Sequence, residues 1–393
     1  MANMVDYLVW RGELSMEASP WNAVDGLLIA TLSYLNLHGI SDARGWTMRE
    51  AKRLDLLIES RDSTFPLRRD AFNGMADSVR FGESRMHHFI AMTDEASNLQ
   101  FSAMCVDLPD GTMAVAFRGT DNTLVGWRED FEMAYRTWVP GQEAAGYYLA
   151  QAAAATDRPL RLVGHSKGGN LAVYAASVVH PEVQDRIESI WSYDGPGMNR
   201  QISATEGYQR IRSRIRSYIP QTSIIGLLMD YYTPYTVVKS TAAGLSQHDP
   251  MSWQVYGPKF EEMESIDRKA EIVCQTLHAW LQNSTPEQRA AFVETLFRLA
   301  DNTNATKMSD ILNEKFRSFR KMYGGRKDVD PETRRVFNRL IAQAVTLWFG
   351  NVVDRVRGQK EEGVDERHWT TMVPGEGLPD QDGEEPPEDK KLS

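Results

Sequence analysis

The stretch Leu160-Arg161-Leu162-Val163-Gly164-His165-Ser166-Lys167-Gly168-Gly169-Asn170 places one serine where it can do chemistry. Its centre, Gly164 to Gly168, has the form G-x-S-x-G. An apolar strand ends at the first glycine, and a small-residue helix follows through Leu171, Ala172, Tyr174, Ala175 and Ala176. In that context the pentapeptide predicts a strained strand-to-helix turn with the Ser166 hydroxyl exposed at the end of the strand. The helix start then aims its free N–H groups at whatever the serine attacks.

A serine hydroxyl needs a base to take its proton, usually a histidine, and a carboxylate to orient that histidine. In hydrolases built on such a turn, the chain order is serine, acid, histidine. Of eight histidines, His38, His87, His88 and His165 precede Ser166, and His180 ends the helix after it. His278 falls in a helical pattern and His368 near a loose tail, so His248 is the expected base. It follows the last predicted strand by a loop containing Gly244. The expected acid is Asp194, at the end of the strand after the nucleophile, with Asp230 in reserve. Asp249 adjoins His248, and adjacent side chains rarely face each other. An oxyanion needs two donors. The backbone N–H of Lys167 is expected to be one, with its side chain solvated. The loop Arg118-Gly119-Thr120-Asp121 should supply the other through Thr120.

The elements that must hold these residues are legible as alternating patterns. Residues 1–65 read as mostly helical, with helices over 21–37 and 48–58. Strands are predicted over 89–92, 100–107, 112–117, 160–164, 187–193, 211–219 and 235–240, and helices over 141–155 and 169–179. This alternation predicts an α/β-hydrolase fold with a mostly parallel central sheet. The expected organisation is a helical N-terminal segment (1–65), an α/β-hydrolase core (66–260), a helical C-terminal region (261–358) and an acidic, disordered tail (359–393). Helices are predicted over 267–281, 286–300, 309–322 and 331–357, two of them with proline at the first helical position. No internal repeat is visible.

The bulk composition excludes several classes. A chain of 393 residues with 42% hydrophobic residues has enough material for one large α/β domain and an accessory region. The formal net charge of −10 gives no electrostatic reason to expect nucleic-acid binding. Two cysteines, Cys105 and Cys274, cannot form a disulfide framework and suggest a reducing compartment. No apolar run approaches the ~20 residues that span a bilayer, and no secretion signal is seen. A cytoplasmic protein is therefore expected. No cofactor is expected. No metal is expected either, because no Cys/His cluster has ligand spacing and the adjacent His87-His88 pair lacks nearby partners of the right kind.

Beyond the pentapeptide, Ala116-Phe117-Arg118-Gly119-Thr120, followed by Gly126-Trp127-Arg128-Glu129-Asp130-Phe131, resembles the class 3 lipase signature. The marks Asn22-Ala23-Val24-Asp25, Phe117 to Asp121, Gly164 to Asn170, Asp194-Gly195-Pro196-Gly197 and Gln247-His248-Asp249 resemble a bacterial family of lipase-like α/β-hydrolases. That resemblance covers residues 1–260. It implies that Thr120 is an oxyanion donor and that about 121–133 form a lid or cleft rim, with Trp127 and Phe131 near an apolar substrate. Class 3 lipases carry their acid after the later strand, where this chain has Gln221 and Ser223. The resemblance therefore does not assign the acid. It implies an ester hydrolase acting on a small acyl ester or lipid. The alternative is a hydrolase-fold binding or regulatory protein with a weakened site.

Overall fold

Strand β4 (Met113–Phe117) is buried at every residue and shows how this sheet is covered. Ala114 and Ala116 pack with one apolar cluster and Met113, Val115 and Phe117 with another. Alternate side chains on a strand point to opposite faces. A strand apolar at every position therefore needs a layer on both sides.

The computed structural model describes residues 2–294, except 61, 63, 122, 134, 230, 269, 273, 276–282 and 291–292, and except the side chains of 124 and 245. These residues belong to one unit that spans Met1–Trp348. The remaining strands are β1 (Trp46–Thr47), β2 (Arg85–Asp94), β3 (Leu99–Asp107), β5 (Leu160–His165), β6 (Ile187–Tyr193), β7 (Ile215–Pro220), β8 (Tyr235–Val238), β9 (Val255–Tyr256), β10 (Lys259–Phe260) and β11 (Glu262–Met263). The main sheet runs β1-β2-β3-β4-β5-β6-β7-β8-β11. From β4 to β8 every pairing is parallel. From β1 to β4, and between β8 and β11, the pairings are antiparallel. The expected mostly parallel sheet is thus mixed. The reason is local: β2, β3 and β4 are joined by short turns, and only antiparallel strands can be joined that way.

The helices are α1 (Met4–Arg11), α2 (Ala23–Leu32), α3 (Met48–Arg53), α4 (Phe65–Asp77), α5 (Leu124–Glu132), α6 (Pro140–Ala154) and α7 (Lys167–Val178), with shorter ones further on. Parallel strands in sequential order, joined by right-handed crossovers, put their helices on one face. Accordingly α6 and α7 share the cluster that holds Val115, Phe117 and Leu162. The opposite face is left to α1, α2 and α4, which pack with Val163 and Tyr193. All ten residues of α2 are buried. Asn22 caps this helix through Val24 N at 3.0 Å, and Asp25 receives the Asn22 N–H at 3.0 Å. Asp25 also holds the wholly buried Arg80 through Nε at 2.7 Å and takes the Tyr7 hydroxyl at 2.7 Å. The Asn22-Ala23-Val24-Asp25 mark is therefore a helix cap and a buried ion pair.

The expected helix over 21–37 is shorter than its apolar run, because the chain turns at Ser33, whose hydroxyl donates to Ala30 O at 2.6 Å. The expected strand over 211–219 begins at Ile215, since a helix ending at Ile211 and a 3-10 turn over Arg212–Arg214 occupy its first residues. Helical residues begin again at 268 and at 286. The helices expected over 309–322 and 331–357 and the tail from 359 lie outside the described residues.

Candidate active site

Parallel strands end on the same edge of a sheet, so β4 to β8 deliver their following loops to one place. In spatial order these loops carry Thr120, Ser166, Asp194, Ser223 and, after a longer loop, His248. Ser166 sits between β5 and α7 with φ 59° and ψ −135°. A non-glycine residue there is strained by roughly 1–3 kcal/mol. The strain persists because the turn is hemmed in. A Cβ on Gly164 would stand 2.1 Å from Gly168 O, and one on Gly119 would stand 2.5 Å from His165 O. The Ser166 amide donates to Tyr193 O at 2.9 Å, tying the turn to the end of β6.

Asp194 follows β6 in the left-handed region, at φ 49°. Its amide donates to Tyr218 O at 2.7 Å, which turns the side chain over the sheet edge. There Oδ2 accepts from His248 Nδ1 at 2.6 Å. With Nδ1 carrying the proton, Nε2 of His248 is left as an acceptor. Asp194 Oδ1 accepts from the Ser223 hydroxyl, and that oxygen in turn accepts from Gly226 N at 2.9 Å. The turn Gln221-Thr222-Ser223 directly after β7, which has no carboxylate, thus contributes a hydroxyl that holds the Asp194 carboxylate after β6. Asp230, the reserve acid, lies outside the described residues. Removing the Ser223 hydroxyl leaves Oδ1 short of a donor at a buried charge, worth about 1.5–3 kcal/mol. Ser223→Ala is expected to lower kcat on a model ester about tenfold with KM within twofold. An unchanged kcat would show that Ser223 does not hold the acid.

His248 is held from behind as well. His165 Nε2 donates to His248 O at 2.8 Å, and the two rings lie 4.6 Å apart. Tyr34 OH lies 3.0 Å from His165 Nδ1, so the ring accepts there and donates from Nε2. Burial and the neighbouring His248 hold His165 well below the usual histidine pKa, which keeps it neutral. Gln247, next to the histidine, accepts from Thr222 N at 2.9 Å through its side chain and from Trp253 Nε1 at 2.8 Å through its carbonyl. Neither Tyr34 nor His165 was legible as a supporting residue, because each acts across the fold.

The Lys167 side chain is a correction. It is wholly buried and not solvated. Its Nζ donates to Gln100 O at 2.7 Å, to Gln100 Oε1 at 2.8 Å and to Glu129 Oε2 at 2.8 Å. Glu129 Oε1 accepts from Gly141 N at 2.6 Å. One ammonium therefore joins the first turn of α7 to β3 and α5, and Glu129 extends the link to α6. No sequence period connects Lys167 to a glutamate 38 residues away, so the pairing was invisible.

The segment expected as a lid or rim, 121–133, contains α5, on which Trp127 and Phe131 are half-buried. Asp130 on the same helix accepts from the Thr120 hydroxyl at 2.5 Å. Its other oxygen is buried without a hydrogen bond among the described residues. Burial pushes the Asp130 carboxyl up to about 6, against the opposing pull of Lys167 and Thr120. The unfolded chain releases this proton near 3.8, so between those values the folded state binds more protons and loses stability as pH rises. The penalty is fully present above about pH 6. Asp130→Asn keeps a partner for Thr120 without the charge. It is expected to be more stable than wild type at pH 8 by on the order of 1–3 kcal/mol, with the gap shrinking towards pH 4.5. Urea midpoints at the two pH values check this, and a gap independent of pH would refute it.

A family model, Mbeg1-like, matches residues 75–298, a span that holds Thr120, Ser166, Asp194, Ser223 and His248. The chain belongs to the Mbeg1-like family. No curated protein matches it. Among solved structures it is similar to M37 lipase, at 14% identity over 51% of this chain and 68% of that one, with a TM-score of 0.33. It is also similar to the Rhizomucor miehei lipase in its propeptide complex, at 14% identity over 56% and 68%, with a TM-score of 0.33. A triacylglycerol lipase from Penicillium expansum aligns at 15% identity over 48% and 76%, with a TM-score of 0.30. Among the described residues, no helix is long and apolar enough to cross a membrane.

Proposed function

We propose that this protein is a serine hydrolase of the lipase or esterase type, cleaving carboxylic esters through an acyl-enzyme on an α/β-hydrolase fold. The observation that carries the reading is the 2.6 Å bond from His248 Nδ1 to the buried Asp194, on the sheet edge that also holds the strained Ser166. A histidine so oriented is a base, with its other nitrogen left unprotonated as an acceptor.

In this mechanism Ser166 Oγ attacks the ester carbonyl while its proton passes to His248 Nε2. The carbonyl oxygen becomes an oxyanion, received by the N–H of Lys167 and by Thr120. The C–O bond to the alcohol breaks, and His248 returns the proton to the departing oxygen. Water then repeats the sequence, with His248 as base, and releases the carboxylic acid and Ser166. Asp194 stabilises the imidazolium formed in each half and does not itself take the proton. Trp127 and Phe131 on α5 offer an apolar wall for an acyl chain, so a lipid or acyl ester is the favoured substrate. No step requires a cofactor.

The test is labelling of the full chain with a fluorophosphonate, followed by mass mapping of the adduct. The adduct is expected on Ser166, absent in Ser166→Ala and at least 100-fold slower to form in His248→Ala. A folded wild type that stays unlabelled both with and without detergent would overturn the reading. Hydrolysis of p-nitrophenyl esters of graded chain length then identifies the acyl group.

A further inference from the structure

Two histidines adjacent in sequence should point to opposite faces of a strand. In β2 they do not. His88 adopts φ 52°, and the register with β3 shifts between His87 and Ile90. The bulge turns both rings to the same side, where His87 Nδ1 and His88 Nδ1 lie 2.5 Å apart. The amides released from the ladder are not lost: His88 N donates to Asp42 O at 3.1 Å and Phe89 N to Ile40 O at 2.8 Å. His87 pairs directly with Cys105 of β3, so the thiol joins the same cluster. One ligand atom from each of His87, His88 and Cys105 falls within 4.8 Å of the others. The reading that the histidine pair lacks a suitable neighbour is thereby corrected, since Cys105 is near in space and distant in sequence.

We propose that His87, His88 and Cys105 form a binding site for a thiophilic divalent cation of the zinc type. Two histidine nitrogens and one sulfur suit zinc, with bonds of about 2.0–2.3 Å and one position left for water. The two Nδ1 atoms face each other, so one shared proton holds them together now, and a cation taking its place needs them to part only slightly. The surroundings fit a ligand role for His87. Its Nε2 is buried without a hydrogen bond among the described residues, with the Asp107 carboxylate 3.3 Å away to compensate positive charge at the ring. Asp107 is itself met by Arg158 at 3.8 Å. Tyr148 donates to His88 O at 2.8 Å and leaves its oxygen 3.3 Å from Cys105 Sγ, fixing the third ligand against α6. Burial holds the Cys105 thiol up at about 12. Without a cation to displace its proton it is an inert core residue.

The strained backbone of His88 is the feature a purely structural role leaves unexplained. A non-glycine residue held at such a φ is strained, at a cost in stability. The cluster lies on β2 and β3, with β4 between it and the nucleophile strand β5. The site is therefore separate from the proposed hydrolase chemistry. It would clamp the antiparallel half of the sheet.

The experiment is titration of the reduced full chain with Co2+ alone, together with metal analysis of protein expressed with added Zn2+. One zinc per chain is expected as purified, and Co2+ should give a thiolate-to-cobalt charge-transfer band. Cys105→Ser is expected to lose both, while Cys274→Ser keeps both. His88→Asn, at a half-buried position, should weaken Co2+ binding at least tenfold with an unchanged far-ultraviolet circular dichroism spectrum. Wild type that carries no zinc and gives no band would overturn the proposal. So would a band that survives in Cys105→Ser, or one lost in Cys274→Ser alone.

Discussion

Replacing Asp194 by Asn is expected to lower kcat for ester hydrolysis by about 10^4-fold while the protein stays folded. The carboxylate Oδ2 accepts a hydrogen bond from His248 Nδ1–H at 2.6 Å and so leaves Nε2 as acceptor. An amide of the same shape presents either an NH2 group or a neutral oxygen at that position. The first turns the imidazole into the wrong tautomer. The second offers no charge to stabilise the imidazolium that forms when Ser166 gives up its proton. In serine hydrolases with this arrangement, acid-to-amide substitution costs a factor of that size without disturbing the geometry. KM should change little, because the acid touches no substrate, so the loss should fall on kcat. Ser166→Ala and His248→Ala combined with Asp194→Asn should cost no more than the worst single change, since the residues act as a unit. A drop below tenfold in Asp194→Asn would remove Asp194 as the acid and return the search to the loop after β7.

The second large effect is on stability. Lys167 and Glu129 are both wholly buried, and each is saturated with partners from β3, α5 and α6. Breaking a buried pair by removing one partner costs about 3–5 kcal/mol, because the other charge is left uncompensated. Lys167→Met and Glu129→Met are each expected to lower the unfolding free energy by that amount. The double variant Lys167→Met, Glu129→Met removes both charges and fills similar volume. It is expected to recover more than half of the loss. Urea unfolding of the four proteins closes the cycle. Single variants that each cost under about 1 kcal/mol would mean that the pair behaves like a solvent-exposed one. Both singles should also slow fluorophosphonate labelling, because Lys167 opens the helix whose first amide is the proposed oxyanion donor.

Local chemistry was written into the chain. The strand-to-helix turn at Ser166 needs glycines at 164 and 168 because two backbones pass too close for a Cβ, and that constraint is visible in one sequence. Strands β3 to β6 were legible within a residue or two, since buried strands flanked by Gly, Pro and Asp have few other readings. The order of the residues also narrowed His248 and Asp194, because strand order and loop order coincide in a parallel sheet. The antiparallel half of the sheet was less clear, as the hairpin turns between β2, β3 and β4 were read without their consequence for direction.

What the tertiary structure alone decided is every contact between residues far apart in the chain. Ser223 holding Asp194, Tyr34 and His165 holding His248, Glu129 holding Lys167, and Cys105 meeting His87 and His88 have no signature in spacing. Sequence periodicity reports which side of an element a residue faces within that element. It carries no information on which other element will lie opposite, because that follows from sheet order and crossover handedness. Lys167 beside Ser166 therefore read as solvated, and Ser223 only as the lack of an acid, until the fold brought their partners to them.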